Sequence, residues 1–296
     1  MIVPAYRAEA TIGRALRSIA DQTLPPRAVI VVDDGSPDAT QAVAQSWRGR
    51  MNGVDLTVIR QDNAGAGAAR NRAVAEARTT WLAFLDADDE WLPAKLERSL
   101  ARISGTGATL VAHDSLEVEG GRETRLDCAR RFAAAREAPF VGLYRRGFID
   151  TSTVVARRDA VLAAGGFDTT LANGQDFELW LAMLQKPEAR FLVFDEVLSR
   201  YHVTPGSIMS HVDRRRDCCM TIAERYAPAL RDHPGWALAS LWFRVVAIHY
   251  EAANAHLARG DRAAALRSVL MAAGSLVSAT GHYLTGQRPK RTPGLA

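Results

Sequence analysis

Apolar positions in the first hundred residues alternate between two patterns. Four short apolar runs are typical of buried strands, and the segments between them carry apolar residues at helical spacing, as Ile12, Leu16 and Ile19 do. Strands alternating with helices of this length predict an α/β fold, a mostly parallel sheet with helices on both faces. The first run is shorter than a usual central strand, so the start of the chain is expected to be truncated or misassigned. The predicted strands are residues 2–3, 28–32, 56–60 and 81–85.

The pattern loosens after these four strands and then becomes helical. From Asp213 onward we predict helices, including a hairpin that turns at residues 259–261 and packs on the preceding domain. We therefore expect a first domain at residues 1–210 and a C-terminal helical extension at residues 211–296. The tail of this extension, from Gln287, is polar and is predicted to be disordered. Further strands are expected at residues 109–112, 116–118, 152–156, 191–194 and 197–201, with a helix at residues 175–185.

Carboxylates gather where two of the predicted strands end. Asp33 and Asp34 follow the second strand, and Asp86 and Asp88 follow the fourth. Carboxyl ends of parallel strands share one edge of a sheet, where α/β folds bind ligands, so these side chains are expected to lie on the same edge. Neighbouring carboxylates repel one another unless a cation or proton lies between them, which predicts a divalent-metal site. The alternative is a solvated turn in which Asp88 caps the next helix.

Composition excludes some function classes. The chain has 296 residues, 48% of them hydrophobic, and a net charge of +4 with 34 arginines against 3 lysines. The basic residues are scattered, which argues against a nucleic-acid partner and indicates mild attraction to phosphorylated ligands or an anionic membrane surface. Three cysteines without metal-ligand spacing suit a reducing compartment, and no apolar run is long enough to predict a transmembrane helix. We therefore predict a cytoplasmic protein, with peripheral contact at the inner face of the membrane as an option.

Five segments occur in a family-specific order. They are IVPAY at residues 2–6, VVDDGSPDAT at 31–40, NAGAGAARN at 63–71, FLDADDEW at 84–91, and GGFD followed by GQDFELW at 165–180. Together they resemble the family-2 glycosyltransferases over about residues 1–210. The resemblance implies a GT-A fold and inverting transfer of a sugar from a nucleoside-diphosphate sugar, with a UDP-sugar as the first candidate. The implied acceptor is a hydroxyl of a glycan or of a lipid-linked sugar, in polysaccharide or glycolipid biosynthesis.

Residues of the first four segments are expected to hold the nucleotide. Asp34 can accept hydrogen bonds from uracil or ribose, while Tyr6 and its neighbours could wall the base. Arg70 has two open roles, pairing with a phosphate or locking onto Asp86. The glycines before it do not form a dinucleotide fingerprint, because Arg70 takes the third glycine position and the segment follows the third strand. The predicted nucleotide-binding residues are Pro4, Ala5, Tyr6, Asp34, Asn63, Arg70 and Asp86.

Asp86 and Asp88 match the family's Asp-x-Asp motif, and alternate residues of an extended segment point the same way. The resemblance implies that Asp88 ligates Mn²⁺ or Mg²⁺, that Asp86 contacts ribose or metal-bound water, and that Asp89 supports both. His202 is predicted as a second metal ligand, although the family places its histidine where this chain has Thr204. A surface histidine is the alternative for His202.

Asp176 occupies the family's position for the general base, which takes the proton of the acceptor hydroxyl. The family has an acidic residue immediately before the base, and this chain has Gln175 instead. Glu178 is the fallback base. The alternative for Asp176 is an ordinary acidic residue that the dipole of its helix stabilises.

Two rival functions follow from the same residues. A strand followed by Asp-x-Asp also occurs in phosphatases of the haloacid-dehalogenase type, but those need Thr or Val where this chain has Glu90. A non-catalytic sugar-nucleotide-binding protein, with the C-terminal helices as a partner surface, is the second rival. Intact Asp86, Asp88 and Asp176 favour an enzyme over this binding protein.

Overall fold

The computed structural model describes residues 1–135, 138–203, 211–233 and 235–295. Within these ranges nine strands form two sheets, with eleven α-helices around them. The strands are β1 (Ile2–Ala5), β2 (Ala28–Asp33), β3 (Asp55–Arg60), β4 (Trp81–Ala83), β5 (Glu90–Trp91), β6 (Leu110–Glu119), β7 (Arg122–Leu126), β8 (Val155–Arg157) and β9 (Phe191–His202). The helices are α1 (Ile12–Ala20), α2 (Thr40–Ser46), α3 (Ala66–Glu76), α4 (Lys95–Ile103), α5 (Cys128–Ala133), α6 (Pro139–Arg146), α7 (Arg158–Ala163), α8 (Gln175–Leu184), α9 (Val212–Tyr226), α10 (Ala237–Ala258) and α11 (Arg262–Thr285).

The first sheet is parallel and brings the two acidic segments together. β2 lies between β1 and β3, with Ile30 paired to Ile2 on one side and to Thr57 on the other. A parallel bridge between Ile2 and Phe84 places the end of β4 on the far side of β1. The carboxyl ends of β2 and β4 therefore lie at one edge of the sheet, which confirms the expectation that the acidic residues after these strands share an edge.

The second sheet is mixed, and its strands follow the order β4-β8-β6-β9-β5, with β7 paired to β6. In it β6 and β9 run parallel, whereas the other pairs are antiparallel. The strands predicted at residues 109–112 and 116–118 are one strand, β6. Its register against β9 shifts between His113 and Ser115, and this irregularity interrupts the apolar pattern.

Aromatic packing fixes α8 against the end of β4. The ring of Trp180 on α8 lies edge-on to Phe84, with 6.1 Å between centroids, and edge-on to Phe167 at 6.2 Å. All three side chains are fully buried. Such pairs add to the free energy of apolar burial and prefer one geometry. The first turn of α8 is therefore held in a defined position relative to the acidic segment after β4.

The C-terminal helices share a core with the first domain. Ile222 and Tyr226 of α9 and Leu241 and Val245 of α10 are buried in the same cluster as Trp180. The extension is thus packed on the first domain, as expected, and is not a separate body. The hairpin turn is confirmed, because α10 ends at Ala258 and α11 begins at Arg262. The predicted boundary at residue 210 lies outside the described residues.

The tail, predicted to be disordered, instead lies against the first domain over residues 287–295. Nε of Arg291 donates to Glu178 at 2.8 Å, and its Nη1 donates to the carbonyl of Ala164. The backbone N–H of Gly294 donates to the carbonyl of Gly165 at 3.0 Å. The contact of Arg291 with the buried carboxylate of Glu178 offsets the entropy cost of ordering the tail. The composition of the tail could not reveal this docking, because Glu178 lies in a distant part of the sequence.

Candidate active site

Asp89 ties the segment after β4 to two other parts of the fold. It is almost fully buried, and its carboxylate accepts hydrogen bonds from the hydroxyl of Ser152 and, at 3.1 Å, from the backbone N–H of His202. Burial and the negative charges of Asp86 and Asp88 raise the pKa of Asp89 well above its ordinary value. Both contacts of Asp89 are with other parts of the fold, which agrees with a supporting role.

Asp86 forms an ion pair with Arg70 of α3. Nη2 of Arg70 lies 2.6 Å from Oδ1 of Asp86, and the guanidinium lies 5.4 Å from the ring centroid of Phe167. Burial opposes the charge of Arg70, but Asp86, Asp176 and Asp88 raise its pKa above the ordinary value. The contact with Asp86 is one of the two roles that the sequence left open. The Asp86 side chain keeps 31% of its surface exposed, so a ligand can still reach it.

Asp34 is buried at the end of β2 and holds the loop after β3. Its carboxylate accepts hydrogen bonds from the side chain of Gln61 at 2.8 Å and from the backbone N–H groups of Ala64 at 2.9 Å and Gly65 at 2.8 Å. The side chain of Asn63 donates to the backbone carbonyl of Asp34 at 2.9 Å. Asp34 and Asn63 therefore shape this loop from within the protein, and a nucleotide contact by Asp34 would use its remaining acceptor capacity.

Gly35 allows the loops after β2 and β3 to approach closely. Its φ is +71°, and a Cβ there would lie 2.9 Å from the backbone nitrogen of Asn63. We expect Gly35→Ala to lower the free energy of unfolding more than Gly49→Ala. Gly49 has a similar φ of +78° but open space around it, so its substitution reports the backbone strain alone, about 1 kcal/mol. Urea unfolding of both variants measures the difference, and equal losses would contradict a tight contact at Gly35.

The segment at the end of β1 provides backbone and one exposed ring. Pro4 and Ala5 are buried, and the carbonyl of Ala5 accepts the backbone N–H of Asp34 at 2.8 Å. Tyr6 is 46% exposed, and the guanidinium of Arg7 lies 5.4 Å from its ring centroid. Of the three predicted wall residues, Tyr6 therefore presents the side chain that a base could contact.

Asp176 lies in the first turn of α8. The hydroxyl of Thr151 donates to Oδ2 of Asp176 at 2.7 Å, and the backbone N–H of Phe177 donates to Oδ1 at 2.8 Å. A carboxylate oxygen can accept two hydrogen bonds, so each oxygen of Asp176 can still take one more donor. Thr151 is followed by Ser152, whose hydroxyl accepts the backbone N–H of Asp86 at 3.2 Å, so adjacent residues hold Asp176 and the acidic segment after β4.

The prediction that Glu178 is the fallback base is wrong. Its side chain is fully buried, and its Oε1 accepts hydrogen bonds from Arg225 at 3.1 Å and from the hydroxyl of Tyr226 at 2.7 Å. Arg291 also donates to Oε1, at 2.8 Å. These contacts hold Glu178 in the core, where an acceptor hydroxyl cannot reach it.

Sequence reasoning missed residues 150–152, whose side chains face the carboxylates. Two hydroxyls of this segment hold Asp176 and Asp89. Desolvation and the negative charge of Asp176 raise the pKa of Asp150 to about 6. Asp150 directly precedes Thr151, which bonds to Asp176, and so brings to this segment an acidic group that Gln175 does not supply. Only Ser152 fell within a predicted strand, at residues 152–156, and the local sequence carries no signal for these contacts.

His202 ends β9 beside the acidic segment. Its Nε2 lies 4.0 Å from Oε1 of Glu90, and its backbone N–H contacts Asp89. Burial, followed by the charge of Arg14, lowers the pKa of His202, which favours the neutral ring that binds metals. Thr204, the family's usual histidine position, lies outside the described residues.

A metal ion at this site would be bound by few protein side chains. Across the described part of the chain, no three His, Cys, Asp or Glu side chains form a ready-made metal site. The oxygen donors of Asp86 and Asp88 nonetheless suit Mg²⁺ or Mn²⁺, because such ions bind through one or two carboxylates and take further ligands from phosphates and water.

Comparison with known proteins gives a family match. Residues 1–162 match the family described as Glycosyl transferase family 2. Over 220 residues the chain is 30% identical to the putative teichuronic acid biosynthesis glycosyltransferase TuaG of Bacillus subtilis, which covers 71% of this chain and 81% of TuaG.

Two solved structures share the fold. S. aureus TarS in complex with UDP-GlcNAc matches with a TM-score of 0.67 at 19% identity, over 98% of this chain and 92% of that one. The mannosyltransferase PcManGT of Pyrobaculum calidifontis, in complex with GDP-Man and Mn²⁺, matches with a TM-score of 0.59 at 21% identity, over 97% and 87%. The two-sheet architecture is thus the GT-A fold.

Proposed function

Because the chain belongs to glycosyl transferase family 2, we propose that it moves a sugar from a nucleoside-diphosphate sugar to a hydroxyl of a glycan or lipid-linked acceptor, with inversion at the sugar carbon. Family membership makes the chain a glycosyltransferase and excludes the phosphatase alternative. A UDP-sugar is the first donor candidate, supported by the fold that the chain shares with TarS, which was solved with UDP-GlcNAc.

One observation carries the proposal: two adjacent residues, Thr151 and Ser152, hold Asp176 and the acidic segment after β4. The hydroxyl of Thr151 donates to Asp176 at 2.7 Å, and the hydroxyl of Ser152 accepts the backbone N–H of Asp86 at 3.2 Å. These residues lie after β4, just before β8 and on α8, so the fold itself assembles them. This arrangement supports a donor side at Asp86 and Asp88 and an acceptor side at Asp176.

In the proposed reaction, the acceptor oxygen bonds to the sugar carbon while the bond from that carbon to the diphosphate oxygen breaks. The hydroxyl proton passes to Asp176, and the electrons of the broken bond leave with the nucleoside diphosphate. Attack from the side opposite the leaving group inverts the configuration. Thr151 holds the carboxylate of Asp176 in one orientation for this proton transfer.

We propose Mn²⁺ or Mg²⁺ as the cofactor, with Asp88 as a ligand, His202 as a second ligand, and Asp86 toward the ribose or metal-bound water. The ion would neutralise the charge that develops on the departing diphosphate. Tyr6 would contact the base, while Asp34 and Asn63 set the shape of the loop around it. Arg70 would keep Asp86 oriented.

A panel of UDP-, GDP- and dTDP-sugars, with and without Mn²⁺, tests the proposal. We expect one of them to raise the unfolding temperature, and to raise it more with Mn²⁺ than without it; a ligand at 100 times its Kd stabilises by about 2.7 kcal/mol. Release of nucleoside diphosphate, measured with a broad acceptor panel, then separates the enzyme from a binding protein. Nucleotide binding without any turnover would favour the binding protein.

We expect Asp88→Ala to weaken Mn²⁺-dependent binding of the donor about tenfold or more, because an outer carboxylate of a metal site already contributes 10–100-fold. Binding without metal should change little. Isothermal titration with and without Mn²⁺ measures both. Asp62→Ala is the matched control, since it removes an exposed carboxylate of the neighbouring loop. An unchanged Mn²⁺ effect in Asp88→Ala would remove Asp88 from the ligand set.

We propose a cytoplasmic location at the inner face of the membrane. A lipid-linked acceptor would be presented there, and nucleotide sugars are soluble in the same compartment. The scattered basic residues and the net charge of +4 are compatible with an anionic surface nearby.

A further inference from the structure

The C-terminal hairpin turns apolar side chains outward, although its inner side packs on the core. On α10 these lie four residues apart, and on α11 they continue along one side of the helix. Leu270 is 68% exposed and Val277 is 76% exposed. We call this surface the hairpin face and define it by Trp242, Val246, Tyr250, Leu266, Leu270 and Val277. A surface of this kind marks an interaction site when it is continuous.

The length and composition of α11 fit contact with lipid. The helix has 24 residues and contains an 18-residue window of mean hydropathy 1.4, only 22% of which is buried within the protein. Its inner residues are nevertheless held by the fold: Ala279 is fully buried, and Ser275 bonds to His249 of α10 at 2.8 Å. Crossing a bilayer would break this packing, whereas lying along its surface would keep it.

Basic side chains border the hairpin face at both ends. Arg262 and Arg267 are exposed at the tip of the hairpin. Toward the other end, the exposed guanidinium groups of Arg145 and Arg146 lie 4.5 Å and 5.7 Å from the ring centroid of Phe243. Aromatic residues beside arginines at the margin of an apolar surface are typical of a membrane interface.

The acidic residues of the hairpin are already engaged. Between residues 237 and 285 the sequence has two, Glu251 and Asp261. Glu251 lies 3.3 Å from Nη2 of Arg215, and Asp261 accepts the backbone N–H of Ala264 at the start of α11. A second copy packed on the same face would therefore bring several arginines to a surface with few carboxylates, since a two-fold interface is self-complementary.

We propose that the hairpin face docks on an anionic phospholipid bilayer, with the apolar residues in the headgroup region and the bordering arginines on the lipid phosphates. This inference rests on the proposed function only for the membrane location, and it identifies the surface of the protein that would contact the membrane. Docking would hold the catalytic domain at the surface where a lipid-linked acceptor lies.

Flotation of the full chain with lipid vesicles tests the proposal without donor or acceptor. We expect binding to vesicles of phosphatidylglycerol and phosphatidylcholine, weaker binding to phosphatidylcholine alone, and release by raised salt. Leu270→Asp/Val277→Asp should reduce binding about tenfold or more, because both apolar side chains leave the interface. Leu24→Asp, at a residue 40% exposed outside the hairpin, is the matched control and should bind normally.

A second variant keeps the test decisive if the aspartates disturb folding. Arg262→Gln/Arg267→Gln should bind anionic vesicles more weakly and lose part of the salt dependence, with an unchanged unfolding temperature. Equal binding by all variants, or no binding to anionic vesicles, would overturn the proposal. So would dimerisation in sedimentation velocity that Leu270→Asp/Val277→Asp abolishes, since a second copy would then cover the face. Sugar transfer to a soluble acceptor should be unchanged in these variants, which separates this proposal from the transferase function.

Discussion

Asp176→Asn should lower the rate of sugar transfer about 10²–10⁴-fold, the usual contribution of a general base. The amide keeps the size of the side chain and can still receive the hydrogen bond of Thr151 through its oxygen, but it cannot take the acceptor proton. Donor binding should change little, because Asp176 is placed on the acceptor side. Initial rates with the true substrates, together with donor titration, measure both effects.

Asp159→Asn is the matched control for this variant. Asp159 also lies in the first turn of a helix, α7, so both substitutions remove the same stabilising charge at a helix N-terminus. Both variants should therefore lose similar, small amounts of stability, while only Asp176→Asn loses activity. If Asp176→Asn kept near-normal turnover, Asp176 would be an ordinary helix residue and the base would have to be sought elsewhere, first at Asp150, which precedes Thr151 in the segment that contacts Asp176.

Arg225→Met should lower the free energy of unfolding by about 3–5 kcal/mol, the usual cost of leaving buried charges without a partner. Nη1 of Arg225 lies 2.8 Å from Asp168 and 3.1 Å from Glu178, and all three side chains are buried. Arg291 contacts Glu178 as well, whereas among the described residues Asp168 has no second ion pair and keeps only the hydrogen bonds from Thr170. Urea unfolding monitored by tryptophan fluorescence measures the loss.

Arg215→Met provides the comparison on the same helix. Arg215 pairs with Glu251 at the surface, where such pairs contribute about 0–1 kcal/mol. Its loss should therefore be small. Similar losses for the two variants would show that the buried network contributes no more than a surface pair. Because Glu178 and Asp176 share the first turns of α8, we also expect Arg225→Met to reduce turnover through a displaced base.

Local patterns predicted the N-terminal half of the fold well. β1, β2 and β3 and the helices between them lie within a few residues of the predicted segments, because buried parallel strands and amphipathic helices have distinct periodicities. The turn between α10 and α11 was predicted for a similar reason, since Gly260 interrupts a helical pattern. The split of β6 and of β9 into two strands each was wrong, because a register shift looks like a strand end in sequence.

Contacts between distant segments escaped prediction. Glu178 looks like any acidic residue in a first helical turn, yet it is enclosed by Arg225 and Arg291, 47 and 113 residues away. The same holds for the tail, whose composition is typical of a disordered segment. Nothing within a short window of sequence reports which buried charge will meet which partner.

By itself the sequence determined which residue types could do chemistry: the Asp86–Ala87–Asp88 segment, Arg70 and Asp176 are recognisable from motif and order. Tertiary structure decided which contacts they make. It paired Arg70 with Asp86, placed Asp34 beneath a loop, enclosed Glu178 in the core and brought Thr151, which follows Asp150, to Asp176. The physical reason is range, since periodicity and capping act within a helical turn or a strand, whereas ion pairing and desolvation depend on what the completed fold brings within a few ångströms.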